Sequence, residues 1–505
     1  MLSKEWSKFK SGSDIRGTAA EGVPGAPVDL TDPVVDRMAR GFVVWLSGKV
    51  QKPADKLVIT LGHDSRISAD RLTACTSRAM TDMGAKVLLT GLCSTPSMFM
   101  STVDPVVRAD GALMLTASHH PFNKNGLKFF TAQGGLEGSD ITAILELAEK
   151  NEFTPLPGGK TEECPFMETY AAGLVGKVRA ATGEEQPLKG LHIVVDAGNG
   201  AGGFYVEKVL KPLGADTSGS QFLEPDGRFP NHIPNPENKE AMASVCKCVT
   251  DNRADFGIIF DTDVDRAGAV FADGEEINRN RLIALISAIL LEEKPGATIV
   301  TDSVTSDGLA EFLAAHGGVH HRFKRGYKNV INEAVRLNAE GVDCPLAIET
   351  SGHAALRENY FLDDGAYLVT RLLISLAKLS KQGKNLEDLI RDLKMPLEEA
   401  EIRMGFFEED FKTYGQKVLS DLKEYCGTHP EFRAAPVNYE GLRVSFAKGE
   451  GGGWFLLRMS LHDPIMPLNI ESDEAGGCKV IAAKLYGFLK SYRGLNLENL
   501  ENYLK

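Results

Sequence analysis

The stretch DTDVDR at residues 261–266 carries three carboxylates at alternate positions and a trailing arginine, directly behind the apolar run FGIIF. Carboxylates leaving a strand end in this spacing can converge on one hard cation, because oxygen ligands suit Mg²⁺ and its charge offsets their mutual repulsion. Asp261, Asp263 and Asp265 are the candidate ligands, and Arg266 would face any phosphate the metal bridges. A lone DxD reads more readily as a solvated acidic turn; the third aspartate, the arginine and the strand in front set this one apart. A second polar cluster lies in GALMLTASHHPFNKNGLKFF, residues 111–130, where Ser118 follows another apolar run and has His119, Lys124 and Lys128 close in sequence. A serine so placed can carry a phosphoryl group between two positions if cations stabilise the transferring oxygens, or it can simply bond its own turn. Neither GxSxG nor SxxK surrounds it, which leaves acyl-enzyme hydrolysis with little support.

Two further polar knots follow apolar leads. IETSGH (348–353) offers Glu349 and Ser351, which can bond vicinal sugar hydroxyls, and His353, which titrates near neutral pH and could shuttle a proton; a helix cap with a core histidine is the plain alternative. LLRMSLHDP (456–464) offers Arg458 and Ser460 as a phosphate clamp, or else a surface turn.

The elements that must position these groups repeat one pattern, a short β-branched run, a turn rich in Gly, Asp or Asn, then a helix-like stretch, as in KLVITLGHDSRISADRLTACTSRAM and LHIVVDAGNGAGGFYVEKVLKPLG. Strands alternating with helices predict α/β layers, in which ligands collect at the carboxyl ends of the strands. The Pro/Gly-rich 153–165, the turn-rich region around 265–277, and 391–402 read as linkers. Cutting there gives four domains of ordinary size, 1–157, 158–275, 276–393 and 394–505, the last a small α+β unit with a hairpin.

Bulk properties restrict the partners. A net charge of −13 argues against broad nucleic-acid binding, and the one basic cluster, HHRFKRGYK at 320–328, suits a small phosphorylated ligand instead. The longest apolar stretch, 282–291, is far too short to cross a bilayer, and MLSKEWSKFK is followed by no export-type apolar region, so a cytoplasmic address is expected. Eight scattered cysteines without a CxxC fit reduced thiols.

The four knots, in the order serine loop, triple-aspartate loop, glutamate-serine-histidine loop and arginine-serine loop, resemble the α-D-phosphohexomutase superfamily of phosphoglucomutases and phosphomannomutases. The resemblance runs from SDIRG (13–17) to NIES (469–472) and takes in GHDSR (62–66), VDAGNGAGG (195–203), PDGRFPNHIPNPE (225–237), RGYKN (325–329) and LDDGAY (362–367). It implies three similar α/β domains plus a C-terminal α+β domain around a central cleft. It further implies that Ser118 carries the phosphoryl group, that Asp261, Asp263 and Asp265 hold one Mg²⁺ together with an oxygen on Ser118, and that Arg16, His119, Lys128 and Arg266 surround the transferring group. Glu349, Ser351 and His353 would contact sugar hydroxyls with help from Lys328, and Arg458 and Ser460 would hold the second phosphate. The implied reaction interconverts hexose 1-phosphate and hexose 6-phosphate of glucose or mannose through a hexose 1,6-bisphosphate, in a monomer or homodimer. His120, Tyr327, Thr350, His462 and Asp463 depart from common family patterns. A catalytically impaired sugar-phosphate binder, a phosphoglucosamine mutase and a haloacid-dehalogenase-like phosphatase using Asp261 are the alternatives.

Overall fold

The computed structural model describes residues 2–460 and 463–505. The chain forms two units by its internal contacts, one of residues 1–278 with 351–389 and one of 279–350 with 390–505.

The first unit holds two sheets. The larger has the strand order Lys10–Ser11, Asp14–Thr18, Lys124–Thr131, Gly111–Leu115, Val58–His63, Lys86–Leu92, Lys160–Glu163. Val58–His63 runs parallel to both Gly111–Leu115 and Lys86–Leu92, whereas Lys124–Thr131 runs antiparallel to Gly111–Leu115. All five residues of Gly111–Leu115 are buried, the near-continuous apolar run expected of a strand covered on both faces. Its side chains still sort by a period of two. Leu113 and Leu115 join the core built with Phe129 of the neighbouring strand and with Phe42, Leu46, Ile141 and Leu145 of the covering helices, while Ala112 and Met114 do not, and the helix Thr95–Val103 packs on the same strand.

The smaller sheet has the order Glu276–Ile277, Ala267–Phe271, Phe256–Phe260, Ile193–Asp196, with the last two parallel. Helix Lys239–Asn252 covers it through Met242, Val245 and Val249, and begins where the Asn238 side chain accepts a bond from the Ala241 N–H at 2.9 Å. The segment 351–389 supplies the short antiparallel pair Ala354–Leu356 and Leu362–Asp363, then helix Gly365–Ser380, which packs on helix Phe166–Thr182.

In the second unit, Val319–Arg322, Thr298–Thr301 and Leu346–Ile348 are parallel neighbours in that order. Its C-terminal part is a six-stranded sheet, ordered Arg433–Ala434, Leu442–Ser445, Gly453–Leu457, Ile465–Ser472, Glu398–Phe406, Leu495–Asn496, with helices Phe411–Thr428 and Gly477–Leu489 on its core. The fold is thus α/β with a C-terminal sheet domain, and Leu442–Ser445 with Gly453–Leu457 is the antiparallel pair that the glycine turn announces.

Each stretch read as a linker carries strand: Lys160–Glu163 in the first, Ala267–Phe271 and Glu276–Ile277 in the second, and the start of Glu398–Phe406 in the third. The reason is physical. Lys160–Glu163 is mostly exposed and Glu398–Phe406 is partly exposed, and their backbones find a ladder partner despite charged side chains, so composition conceals them.

Phe129 is 1% exposed, lies in the strand leading from the serine loop and packs on Phe42 with ring centroids 4.7 Å apart. Phe129→Ala is expected to lower unfolding stability by about 3–5 kcal/mol, read from chemical denaturation.

Candidate active site

Ser118 sits just beyond Gly111–Leu115 with φ of 49°, a left-handed conformation that a non-glycine residue adopts only when its surroundings impose it. Those surroundings centre on Arg66. Its guanidinium is buried and donates to the carbonyl oxygens of Pro121 and Lys124 (2.8 Å each), His120 (2.7 Å) and Ser118 itself. Asp64 lies 3.3 Å from Arg66 Nε and accepts a bond from Thr116 Oγ1 at 2.6 Å, and Thr116 Oγ1 in turn accepts the Ser118 N–H at 2.9 Å. Arg16 donates to the Ala117 carbonyl at 3.0 Å and to Asp14 at 3.1 Å. Gly126 closes the loop from the neighbouring strand, where a Cβ would stand 2.3 Å from the Ile15 carbonyl oxygen.

The serine hydroxyl points at the aspartate turn. Ser118 Oγ donates to Asp261 Oδ2 at 3.0 Å and accepts from Arg266 Nη2 at 2.8 Å. Arg266 also donates to His119 Nδ1, which lies 3.3 Å from Ser118 Oγ. An imidazole nitrogen that accepts from a guanidinium must be unprotonated; burial, reinforced by Arg266, pushes the His119 pKa down to about 2. His120 is likewise lowered by burial, to about 4, and stacks on His119.

Asp261, Asp263 and Asp265 are all buried, and each offers an oxygen within 4.8 Å of the others. The turn is shaped by Val264 at φ of 65°. Lys128 Nζ donates to Asp263 at 3.0 Å and to Asp265 at 2.6 Å, and Thr95 Oγ1 to Asp263 at 2.5 Å. Burial raises the proton affinity of the whole group. At Asp261 it prevails, aided by the charges of Asp265 and Asp263, and that carboxyl is held well above its usual range. At Asp265 the Lys128, His353 and Arg266 charges overcome burial and the pKa falls. Asp263 Oδ1 and Asp265 Oδ1 are buried with no hydrogen-bond partner among the described residues. A crowded oxygen set with orphaned acceptors and one carboxyl forced toward the neutral form fits a divalent cation, which would supply the missing charge.

His353 belongs to the same cluster. Its Nδ1 donates to Asp363 Oδ2 at 2.5 Å and lies 3.9 Å from Asp265. Although burial opposes its charge, Asp363 raises its pKa to about 9. The structure therefore brings Ser118, His119, Lys128, Arg266, the three aspartates and His353 together, with Arg16 one bond away through the loop backbone. The IETSGH stretch is divided by the units: Ser351 and His353 belong to the first, Glu349 and Thr350 to the second.

In the second unit Glu349 is buried and accepts the Gly326 N–H at 2.6 Å. Lys328 is half-buried on the first turn of helix Tyr327–Ala339. Arg458 is 7% exposed, and its Nε is buried without a hydrogen-bond partner among the described residues; burial lowers its pKa, a cost that a bound anion would relieve. Ser460 accepts the N–H of exposed Asp463 at 3.2 Å. His462 lies outside the described residues.

Reading the sequence assigned no role to Arg66, Asp64, Thr95 or Asp363. Arg66 and Asp64 sit in GHDSR, just past strand Val58–His63, and Asp363 in LDDGAY, within strand Leu362–Asp363, which is the sequence signal they give. Thr95 gives none.

Comparison with known proteins places these elements in context. Models of phosphoglucomutase/phosphomannomutase alpha/beta/alpha domains I, II and III match residues 8–155, 168–274 and 278–395. A phosphoglucomutase of Neisseria gonorrhoeae is 31% identical over 87% of this chain and 90% of its own length. A phosphomannomutase/phosphoglucomutase of Pseudomonas putida is 30% identical over 82% and 83%. The crystal structure of a phosphoglucomutase/phosphomannomutase family protein from Burkholderia thailandensis superposes with a TM-score of 0.78 at 25% identity, covering 97% of this chain and 98% of that one.

The aspartate turn makes a prediction independent of turnover. Titration with Mn²⁺ followed by electron paramagnetic resonance should show one tight site, weakened at least about tenfold in Asp263→Asn, because a neutral amide removes both charge and a ligand oxygen.

Proposed function

The chain belongs to the phosphoglucomutase/phosphomannomutase family, and from that premise we propose that it is a phosphohexomutase that moves a phosphate between the 1- and 6-hydroxyls of glucose or mannose. The observation that carries this is the placement of Ser118 Oγ, 3.0 Å from Asp261 Oδ2 and 2.8 Å from Arg266 Nη2, beside the three-carboxylate cluster. Support for the sugars comes from the names of the relatives, one a phosphoglucomutase and one a phosphomannomutase/phosphoglucomutase.

In this reading phospho-Ser118 gives its phosphoryl group to the free hydroxyl of a hexose monophosphate. The bond to the serine oxygen breaks as the bond to the sugar oxygen forms, and the proton lost by the sugar hydroxyl is matched by the one the serine oxygen gains. The hexose 1,6-bisphosphate then presents its other phosphate to Ser118, and a little of this compound primes the dephosphorylated protein. Phosphoryl transfer has a loose transition state with charge on the equatorial oxygens, so cations placed in advance do most of the work. Arg266 holds the serine oxygen and Lys128 keeps two of the aspartates ionised. Arg16 and Arg66 fix the loop. His119, held neutral, can only accept where Arg266 donates. His353, paired with Asp363, keeps its charge through neutral pH. Asp261, Asp263 and Asp265, with an oxygen on Ser118, would hold one Mg²⁺, whose charge when bound offsets that of the phosphoryl oxygens. Glu349 and Ser351 bind sugar hydroxyls with Lys328, and Arg458 and Ser460 take the second phosphate. The four domains 1–157, 158–275, 276–393 and 394–505 each contribute one of these loops, in a protein acting in the cytoplasm as a monomer or homodimer.

Ser118→Ala should lower conversion of glucose 1-phosphate by about 10⁴-fold or more with an unchanged melting midpoint; full turnover in that variant rejects the proposal. Chelation with EDTA should abolish wild-type turnover, and added Mg²⁺ should restore it.

A further inference from the structure

Asp302 is a fully buried carboxylate in the second unit. It follows Thr298–Thr301, the middle of three parallel strands, so loops leave the carboxyl ends of a strand on either side of it. After Val319–Arg322 comes the loop with Lys324 and Arg325, leading into Lys328; after Leu346–Ile348 come Glu349 and Thr350. Adjacent strands are about 4.8 Å apart, which lets a short side chain at the centre reach both neighbours. Asp302 does so. It accepts Thr350 Oγ1 at 2.8 Å and the Thr350 N–H at 3.4 Å on one side, and pairs with Arg325 Nε at 3.3 Å on the other. The two loops also meet directly, where the Gly326 N–H donates to Glu349 Oε1 at 2.6 Å, and the Arg325 N–H is held by Glu440 at 3.1 Å.

We propose that Asp302 is a positioning residue for the transfer reaction: it fixes Glu349 against the cationic loop 324–328 and so sets how the sugar ring of a hexose phosphate is held. This rests on Glu349 being a sugar contact. Asp302 itself has no exposed surface and touches no substrate. Its charge is opposed by burial and sustained by Arg325 and by the two Thr350 donors, so the three groups hold one another in place. Glu349 has little freedom of its own, being the residue just before Thr350 and already bonded to Gly326. Losing the brace on Thr350 therefore moves the carboxylate meant for the sugar. The same geometry gives Thr350 a reason for its hydroxyl, which a purely apolar or longer side chain would not supply.

The test compares Asp302→Asn, Thr350→Val and Thr350→Ser in the full-length protein. Thr350→Val keeps the side-chain volume and removes one donor, so it remains informative even if Asp302→Asn folds poorly. KM for glucose 1-phosphate should rise about tenfold in Asp302→Asn and Thr350→Val, with kcat within about threefold of wild type, because the lost interaction orders the sugar in ground and transition states alike. Thr350→Ser should restore the wild-type KM. Loss of the phosphoryl group from phospho-Ser118 to water, measured by mass spectrometry without sugar, should be the same in all four proteins. Unaltered KM in both disruptive variants, with or without a lower melting midpoint, overturns the positioning role while leaving the mutase proposal intact. A wild-type protein that never carries phosphate on Ser118 overturns both.

Discussion

Asp261, Asp263 and Asp265 put three buried carboxylates within 4.8 Å of one another, and most of the first unit's polar architecture answers to that fact. At such a separation each ionised pair repels by about 3 kcal/mol even with generous screening. Three like charges therefore cannot persist there on fold energy alone. The compensation arrives from far apart in the chain: Lys128 from the strand after the serine loop, Arg266 from the end of the same turn, and His353 from the segment that returns to this unit after residue 350. The cluster is still short of positive charge, since Asp261 is pushed toward its neutral form and two carboxylate oxygens lack hydrogen-bond partners among the described residues. A site built to accept a cation looks like this: nearly balanced, and leaving the last charge to be supplied from outside.

The serine loop solves a different problem. A hydroxyl proposed to receive and release a phosphoryl group needs a fixed direction, yet Ser118 sits on a loop in a backbone conformation that costs about 1–3 kcal/mol. Here the loop turns its carbonyl oxygens inward on one guanidinium, with Asp64 and Thr116 closing the circuit. A lysine could not replace that fork, because a point charge on a flexible stem cannot address four carbonyls in a plane. The Ser118 direction is thus an outcome of backbone capture, and its neighbours His119 and Arg266 are free to specialise in the oxygen itself.

How much of this was legible beforehand follows the same division. Ser118, the aspartates and Arg266 could be read because they follow the carboxyl ends of apolar strands, where local sequence both makes the element and exposes the polar end, and His353 because it stands in a polar knot between the apolar Leu346–Ile348 and Ala354–Leu356. The α/β layering was legible for the same reason, since runs such as FGIIF and GALML are buried on both faces and carry no mixed signal. Arg66, Thr95 and Asp363 were not legible as partners. Their roles consist of contacts made 52, 168 and 10 residues away, and nothing in the local sequence records where those partners end up. The short strands Lys160–Glu163 and Glu398–Phe406 were hidden by charged and proline-flanked composition, because edge and half-exposed strands answer to ladder hydrogen bonds more than to hydrophobicity.

One arrangement recurs across both units. Ser118, Asp261 and Asp302 each stand one to three residues past a strand flanked by a parallel neighbour, in three different sheets. Parallel strands deliver their loops to one edge, so a polar side chain there meets groups from adjoining strands without any long-range tether. The sheet fixes the spacing, and the loop chooses the chemistry: a hydroxyl in the first, a carboxylate cluster in the second, a brace in the third. The common geometry explains why so few residues suffice to specify the site on a chain of 505. The layers beneath do not depend on loop residues such as Thr350, since the backbone that sets the spacing is held by ladders and apolar cores rather than by the loop residues themselves.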